Sequence, residues 1–363
     1  MMKKILIIIA LVLIGGAGYY FGFGSQKAVE ALKAQVNTQL QTLQKSGFEI
    51  IDRSIEAKKE HFVIHYARPD EIAQYFRSQN IDISDEDSKL FHGLKIGVDL
   101  SYLEGAYSAL SADLYPVAFP YSLKSEVSKQ GEKNLRKISN DKLFLAHIDI
   151  NKLFTSFKGY LKDVNTTFED REKLTVISRG FTFEGSYNDR FLTSSSNAVE
   201  TLSFTSSSGA MFTLNNLKGS YEQNGKSLYD FESKYHIDQI RARGDNAEEM
   251  RVDQVDFDSS GRAKQAFAAS DFSLHIKSIH TKEPAREHYM EDITGKASLK
   301  NLSVAALDKM KQLDSNDTEG FNGAFKMLLS KGVTLKVDEL SVKKVKIPES
   351  GKMADGFLSS AIV

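Results

Sequence analysis

The chain has 363 residues, 41% hydrophobic and 26% charged, a composition that folds around one large core or two modest ones and excludes disorder as the main state. Its 47 basic residues against 48 acidic ones leave a net charge near zero without a Lys/Arg cluster, so nucleic acid is not an expected partner. The absence of cysteine excludes a disulfide framework, a thiolate metal site, a cysteine nucleophile and a lipoprotein anchor, and an exported domain of this size without disulfides points to a bacterial envelope.

Lys3 and Lys4 form a short basic head, and residues 5–24, from Ile5 through Leu13 to Gly24, carry no charge. At about 1.5 Å per residue the run matches the roughly 30 Å hydrocarbon core of a bilayer. The positive-inside rule keeps Lys3 and Lys4 in the cytoplasm, and Tyr19, Tyr20, Phe21 and Phe23 fall at the opposite aromatic belt. This is the pattern of a signal anchor: a single-pass helix in the inner (cytoplasmic) membrane with everything after it periplasmic. The rival is a cleaved signal peptide, with Gly16, Ala17 and Gly18 as small residues near a cleavage point; the apolar run continuing into aromatics favours retention.

From Ser25 the pattern is helical: Val29, Leu32, Val36, Leu40 and Leu43 make one stripe and Gly47 marks its end. Gln39 breaks the heptad, so the stripe is expected to pack within the chain and not in a coiled coil. Residues 48–57 and 61–67 read as paired strands around Lys58-Lys59-Glu60, and Pro69 opens a helix with Ile72, Tyr75 and Phe76 on one side. Residues 94–102 alternate as a strand wet on one face. The proline-bounded run 115–120 is not expected in a central strand, and 124–141 reads as a helix or linker between subdomains.

After Leu143 strand patterns dominate, and one motif recurs: apolar, any, apolar, any, any, apolar. It stands at Phe212/Leu214/Leu217, Tyr235/Ile237/Ile240, Met250/Val252/Val255, Leu274/Ile276/Ile279, Ala297/Leu299/Leu302 and Leu335/Val337/Leu340. The extra residue before the third apolar position shifts the strand's phase by one, as a bulge does, and its repetition predicts a sheet that coils. The spacing is too irregular for a solenoid, so a long antiparallel meander is expected. Turns are placed at Asn224-Gly225, at 243–246 and at Ser259-Ser260-Gly261. Between Leu302 and Val333 two amphipathic helices are expected: one capped by Ser303 with Val304, Leu307 and Met310, the other with Phe321, Phe325, Leu328 and Leu329.

The fold class is therefore α+β, mostly antiparallel β: a transmembrane helix followed by a helix-flanked, curved antiparallel sheet. The domains run 1–24 for head and anchor, 25–141 for a stalk helix and an α+β subdomain, 142–348 for a β-rich domain with a helical hairpin at 303–331, and 349–363 for a tail. The anchor, the stretch 211–218 and especially 295–302 leading through the hairpin to 333–337 resemble the YdgA-like family of bacterial proteins, over about residues 204–346. The resemblance implies a single-pass inner-membrane protein with a periplasmic β-rich domain; it brings no catalytic motif, and it is not followed through 48–141.

Several segments imitate chemical motifs. Residues 219–227 are one residue too long for a P-loop and lie between two strand patterns, so a hairpin is expected and nucleotide is not. Asp256, Asp258, Ser260 and Gly261 imitate half a calcium loop, but Phe267 stands where the bidentate Glu belongs, leaving an acidic turn as the reading. His275, His280 and His288 with Glu283 and Glu287 lack zinc spacing. Arg243-Gly244-Asp245 is turn chemistry, and the Ser-rich stretches 193–196 and 203–208 lack a nucleophile elbow and read as strand edges or loops. No cofactor, metal or catalytic residue is expected. Three functions remain: a non-catalytic envelope protein holding a hydrophobic or lipid ligand; a structural or assembly factor acting through protein contacts; and an envelope-polymer hydrolase whose carboxylates leave no readable spacing.

Overall fold

The computed structural model describes residues 25–78, 83–103, 106–126, 128–169, 172–188, 191–225, 227–244, 248–283, 286–313, 317–346 and 353–354. The anchor residues Lys3, Lys4, Ile5, Leu13, Tyr19, Tyr20, Phe21 and Phe23 lie outside them, as does the tail apart from 353–354. Among the described residues no helix is long and apolar enough to cross a membrane. The chain divides into two compact units, residues 1–163 with 182–192, and residues 164–181 with 193–363. The boundary expected at 141/142 falls inside the first unit, because the strands that follow it continue that unit's sheet.

In the first unit α1 (Ser25–Lys45) ends at Gly47, whose φ of +97° suits a residue without a Cβ. Strands β1 (Phe48–Ile55), β2 (Lys59–Tyr66), β3 (Lys95–Tyr102), β4 (Ser108–Ala118), β5 (Ala146–Asn151) and β6 (Ser156–Leu161) pair antiparallel in chain order, and β9 (Thr182–Asn188) pairs with β6. Between them come α2 (Pro69–Ser78), α3 (Asp85–Leu90), α4 (Tyr121–Glu126) and α5 (Lys129–Asn140), so 124–141 is largely helical. Period-2 alternation puts Phe62, Val98, Leu100, Tyr102, Leu110, Ile148 and their neighbours on one face, where they form a single core with the α1 stripe and with Ile72 and Phe76 of α2. All five residues of the α1 stripe are buried, so that helix spends its apolar side on its own sheet.

Inside this core Glu60 is buried with two partners: Arg53 Nε lies 2.8 Å from one carboxylate oxygen and Tyr102 donates its hydroxyl to the other at 2.7 Å. The proline-bounded run differs from expectation, since Tyr115, Pro116 and Val117 belong to β4. Pairing with β5 has ended at Leu114↔Ala146, and the ladder with β3 is irregular at Pro116↔Ile96. The proline thus occupies the part of the strand where no donor is required on one side.

In the second unit β7 (Val164–Glu169) pairs with β8 (Lys173–Arg179), β8 with β10 (Phe191–Ser206), and from there a meander runs through β11 (Met211–Gln223), β12 (Phe231–Arg243), β13 (Glu249–Lys264), β14 (Phe267–Glu283), β15 (Arg286–Ser303) and β16 (Thr334–Lys346) to the short β17 (Met353–Ala354). A hairpin of α6 (Val304–Gln312) and α7 (Thr318–Leu329) links β15 to β16, with the Ser303 hydroxyl capping α6 at the amide of Ala306.

The recurring motif marks real phase shifts. Leu214 faces Ile240 and Leu217 faces Ile237, so Asn216 and Asp238 are both extra, and Gln254, Lys277, Asp292 and Lys343 continue the row. Asn216, Gln254 and Asp292 take positive φ there. In β15 and β16 the aligned steps are Met290/Ile293 and Val345/Val342; the motifs at Leu299/Leu302 and Val337/Leu340 belong to separate register shifts. The coiling expected from this repeat is corrected: the sheet is open. Along that row each extra residue stands opposite an extra residue, so there the ladders stay in step; the one-sided shifts at Ala268/Ser270 and Lys296/Ala297 lie apart from it.

Two further expectations change. Ser259-Ser260-Gly261 is no turn but lies within β13, and the hairpin closes at Gln265, with φ of +57°. Gly261 is there because the Phe231 ring lies across it: a Cβ would come 2.5 Å from Phe231 Cε1. The Ser-rich 193–196 and 203–206 lie within β10, which is paired on both sides at Ser203, with Ile177 and Thr213.

Candidate functional site: an open apolar sheet face

Because the phase shifts are in step, the apolar residues of the second unit remain on one face from β10 to β16. One row runs Leu202, Leu214, Ile240, Val252, Ile279, Met290, Val345, and the next Val199, Leu217, Ile237, Val255, Ile276, Ile293, Val342. A third crosses Tyr235, Phe257, Leu274, Gly295 and Leu340.

In the first unit the corresponding face is sealed by helices. In the second, among the described residues, only the hairpin packs on it, at one end, where Ala306 and Leu328 meet Ala268 and Leu302 with Leu299 alongside. Away from that seat Phe212, Tyr235, Met250, Phe257 and Leu340 are all more than a third exposed. Seven strands at about 4.8 Å spacing make this face roughly 29 Å wide between its outer strands. A contiguous apolar face with large side chains partly exposed across it is a candidate interaction surface. Gly295 leaves a gap in it: a Cβ there would meet nothing within 4 Å.

The reverse faces are polar and carry rows of paired side chains. In the first unit His61, Asp99, Asp113, His147 and Tyr160 face one another in turn across β2 to β6. Adjacent carboxylates of like charge are destabilising in a ladder; here each has a cationic or donor partner. Asp99 receives His61 at 2.6 Å and Lys142 at 2.9 Å, and His147 reaches Asp113 at 2.7 Å and Asp149 at 3.4 Å. Burial alone would raise the Asp99 carboxyl, but the bonds from His61, Lys142 and Tyr115 hold it below its usual range. His147 is raised, chiefly by its bond to Asp113, against burial and with help from Asp149.

In the second unit His236 lies 2.6 Å from Asp256 and 2.8 Å from Asp238, and both bonds raise its pKa. His275 sits more loosely between Asp256 and Asp292, at 3.9 and 3.8 Å, and His280 pairs with Glu287 at 2.5 Å. His275 and His280 therefore face carboxylates on separate rows of the polar face, and His288 faces Thr281. Asp256 and Asp258 point to the polar side of a continuous strand, which corrects the acidic turn expected there. Residues 219–223 belong to β11 and Asn224-Gly225 turns the chain into β12, as the hairpin reading required.

Among the described residues no cluster of three or more acidic or histidine side chains is arranged to hold a metal ion. Every described carboxylate with a resolved shift is lowered, whereas a general acid of the hydrolase kind needs one raised. The signal for the apolar face was present in the sequence as the repeated motif; what it did not carry was which strands would meet a covering layer. No protein-family model, curated protein or solved structure matches this chain.

Proposed function

We propose that this chain is a non-enzymatic envelope protein, held in the inner membrane by residues 5–24 with its folded units in the periplasm, and that the open face of β10 to β16 carries lipid acyl chains. The observation that supports it is a continuous apolar face whose large side chains remain accessible. An acyl chain needs no hydrogen-bond partner, and the rows from Leu202 to Val345 and from Val199 to Val342 consist of aliphatic and thioether side chains. Removing a methylene from water is worth about 0.8 kcal/mol, so half-burying a chain of about 16 carbons gives roughly 6 kcal/mol. One leaflet is roughly 15 Å deep, and a face roughly 29 Å wide has room for such a chain. The resemblance to YdgA-like proteins supports the same placement in the cell.

The test is a photoreactive amino acid placed at Phe257, on the apolar face, or at Asp258, on the polar one, in the full chain in cells. Lipid-mass adducts at Phe257 and not at Asp258 are expected. Adducts to protein alone would transfer the face to the assembly-factor reading. That second reading has one feature of its own: among the described residues β17 covers only Val345 and Lys346 of β16, leaving the rest of that strand's outer edge without a neighbour. Location is checked separately by a C-terminal reporter, which must be accessible from the periplasm.

A further inference from the structure

The helix that closes one end of the apolar face has a second apolar side. Ala324 and Leu328 of α7 are buried at the seat, while Phe321, Phe325 and Leu329, at four-residue spacing and turned about 100° away, are 52%, 46% and 53% exposed. Two phenylalanines and a leucine held on a rigid helix at half exposure are more than scattered surface residues. The C-terminal end of the stripe is basic, with Lys326 and Lys331 next to Phe325 and Leu329 in the chain, while Glu319 stands in the helix's first turn at the other end. Lys336 is engaged with Asp338; Lys326 and Lys331 flank the stripe.

We propose that α7 docks on an anionic bilayer surface, with Phe321, Phe325 and Leu329 in the acyl boundary and Lys326 and Lys331 at headgroup level. This is the division of labour by which amphipathic helices lie in an interface: apolar area gives depth, and basic residues add attraction to anionic lipid. Continuity favours a bilayer over a protein partner as the occupant. The stripe's own helix seats on Leu302, with Leu299 alongside, and Leu299 faces the exposed Leu335, so the docked helix would stand at the mouth of the open face. The inference deepens the lipid-carrying reading and rests on it for the choice of a bilayer as the occupant.

The absence of cysteine makes the test direct. Asn322→Cys, at an exposed position beside the stripe, takes an environment-sensitive fluorophore in the otherwise intact full chain. The labelled chain is reconstituted into vesicles of equal parts phosphatidylglycerol and phosphatidylcholine, or of phosphatidylcholine alone, each with a lipid-borne quencher. Blue-shifted, quenched emission is expected in the anionic vesicles, weakened by salt and in phosphatidylcholine alone. Phe321→Ser with Phe325→Ser should weaken the docked population by about tenfold or more, without unfolding a hairpin whose buried seat is built on Ala306 and Leu328 and not on those half-exposed rings. A label that reports water in every vesicle, or quenching indifferent to the double substitution, overturns the proposal. The Phe257 photoadducts are scored on the same protein. Adducts without quenching remove the docking and leave the lipid face, and quenching without adducts does the reverse.

Discussion

If the sheet face of the second unit is open, removing a large side chain from it should cost much less than removing the same side chain from beneath the hairpin. Leu340 is 50% exposed on β16, and Leu328 is 8% exposed at the seat of α7. Burying a leucine fully is worth about 2 kcal/mol, so Leu340→Ala should forfeit about 1 kcal/mol, with no cavity left behind. Leu328→Ala removes the same atoms from a packed site, where transfer and cavity terms together give about 3 kcal/mol. Both residues lie in one unit, so pulse proteolysis across a urea series, on the full chain in nanodiscs, reads both against the same transition. Equal losses of about 3 kcal/mol would mean that something covers Leu340 as tightly as the hairpin covers Leu328, and that the face is closed to any ligand.

Gly295→Asp places a carboxylate in the middle of the apolar face without a steric clash; stability should change by no more than about 1 kcal/mol while lipid adducts at Phe257 fall sharply, and undiminished adducts would move the cargo elsewhere. Arg53→Met leaves the Glu60 carboxylate buried beside Tyr102 without its cation, at a cost of about 3 kcal/mol in the first unit, and a loss under about 1 kcal/mol in the same assay would contradict the pairing. His147 has a folded pKa raised above 6.5, so it contributes stability that is full below 6.5 and lost as pH rises through the higher folded value; His147→Asn should flatten that part of the first unit's stability profile, and an unaltered slope would count against it. Asp99 and Asp149 act in the opposite sense: their folded values lie below 3.8, and their contribution disappears as pH falls from 3.8 through them, which proteolysis of the first unit at acid pH would register.

Much of this fold was legible from local pattern. The α1 stripe, the Gly47 stop, the helix opened at Pro69, the Ser303 cap and the helical hairpin all follow from rules acting over a few residues. The phase shifts were legible too, since a strand with one extra residue must break its apolar period by one. Composition misled at Ser259-Ser260-Gly261, where the glycine answers to a ring on the neighbouring strand and not to a turn. It misled again in β10, where serines fill a strand paired on both sides. The ion-pair rows were invisible because His61, Asp99, Asp113 and His147 are far apart in sequence and meet only through register.

Local pattern in the chain specifies the elements: where strands change phase, where helices start and stop, and that each strand of the meander has one apolar side. Packing between distant segments settles the rest. The phase shifts stand opposite one another, which keeps the sheet open and gathers those apolar sides onto a single face. Packing also selects which face receives a cover. In the first unit α1 and α2 lie across theirs; in the second the hairpin reaches only one end. The reason is physical: alternation within a strand fixes which side avoids water, but what lies against that side is set by residues distant in the chain, and no local period records them.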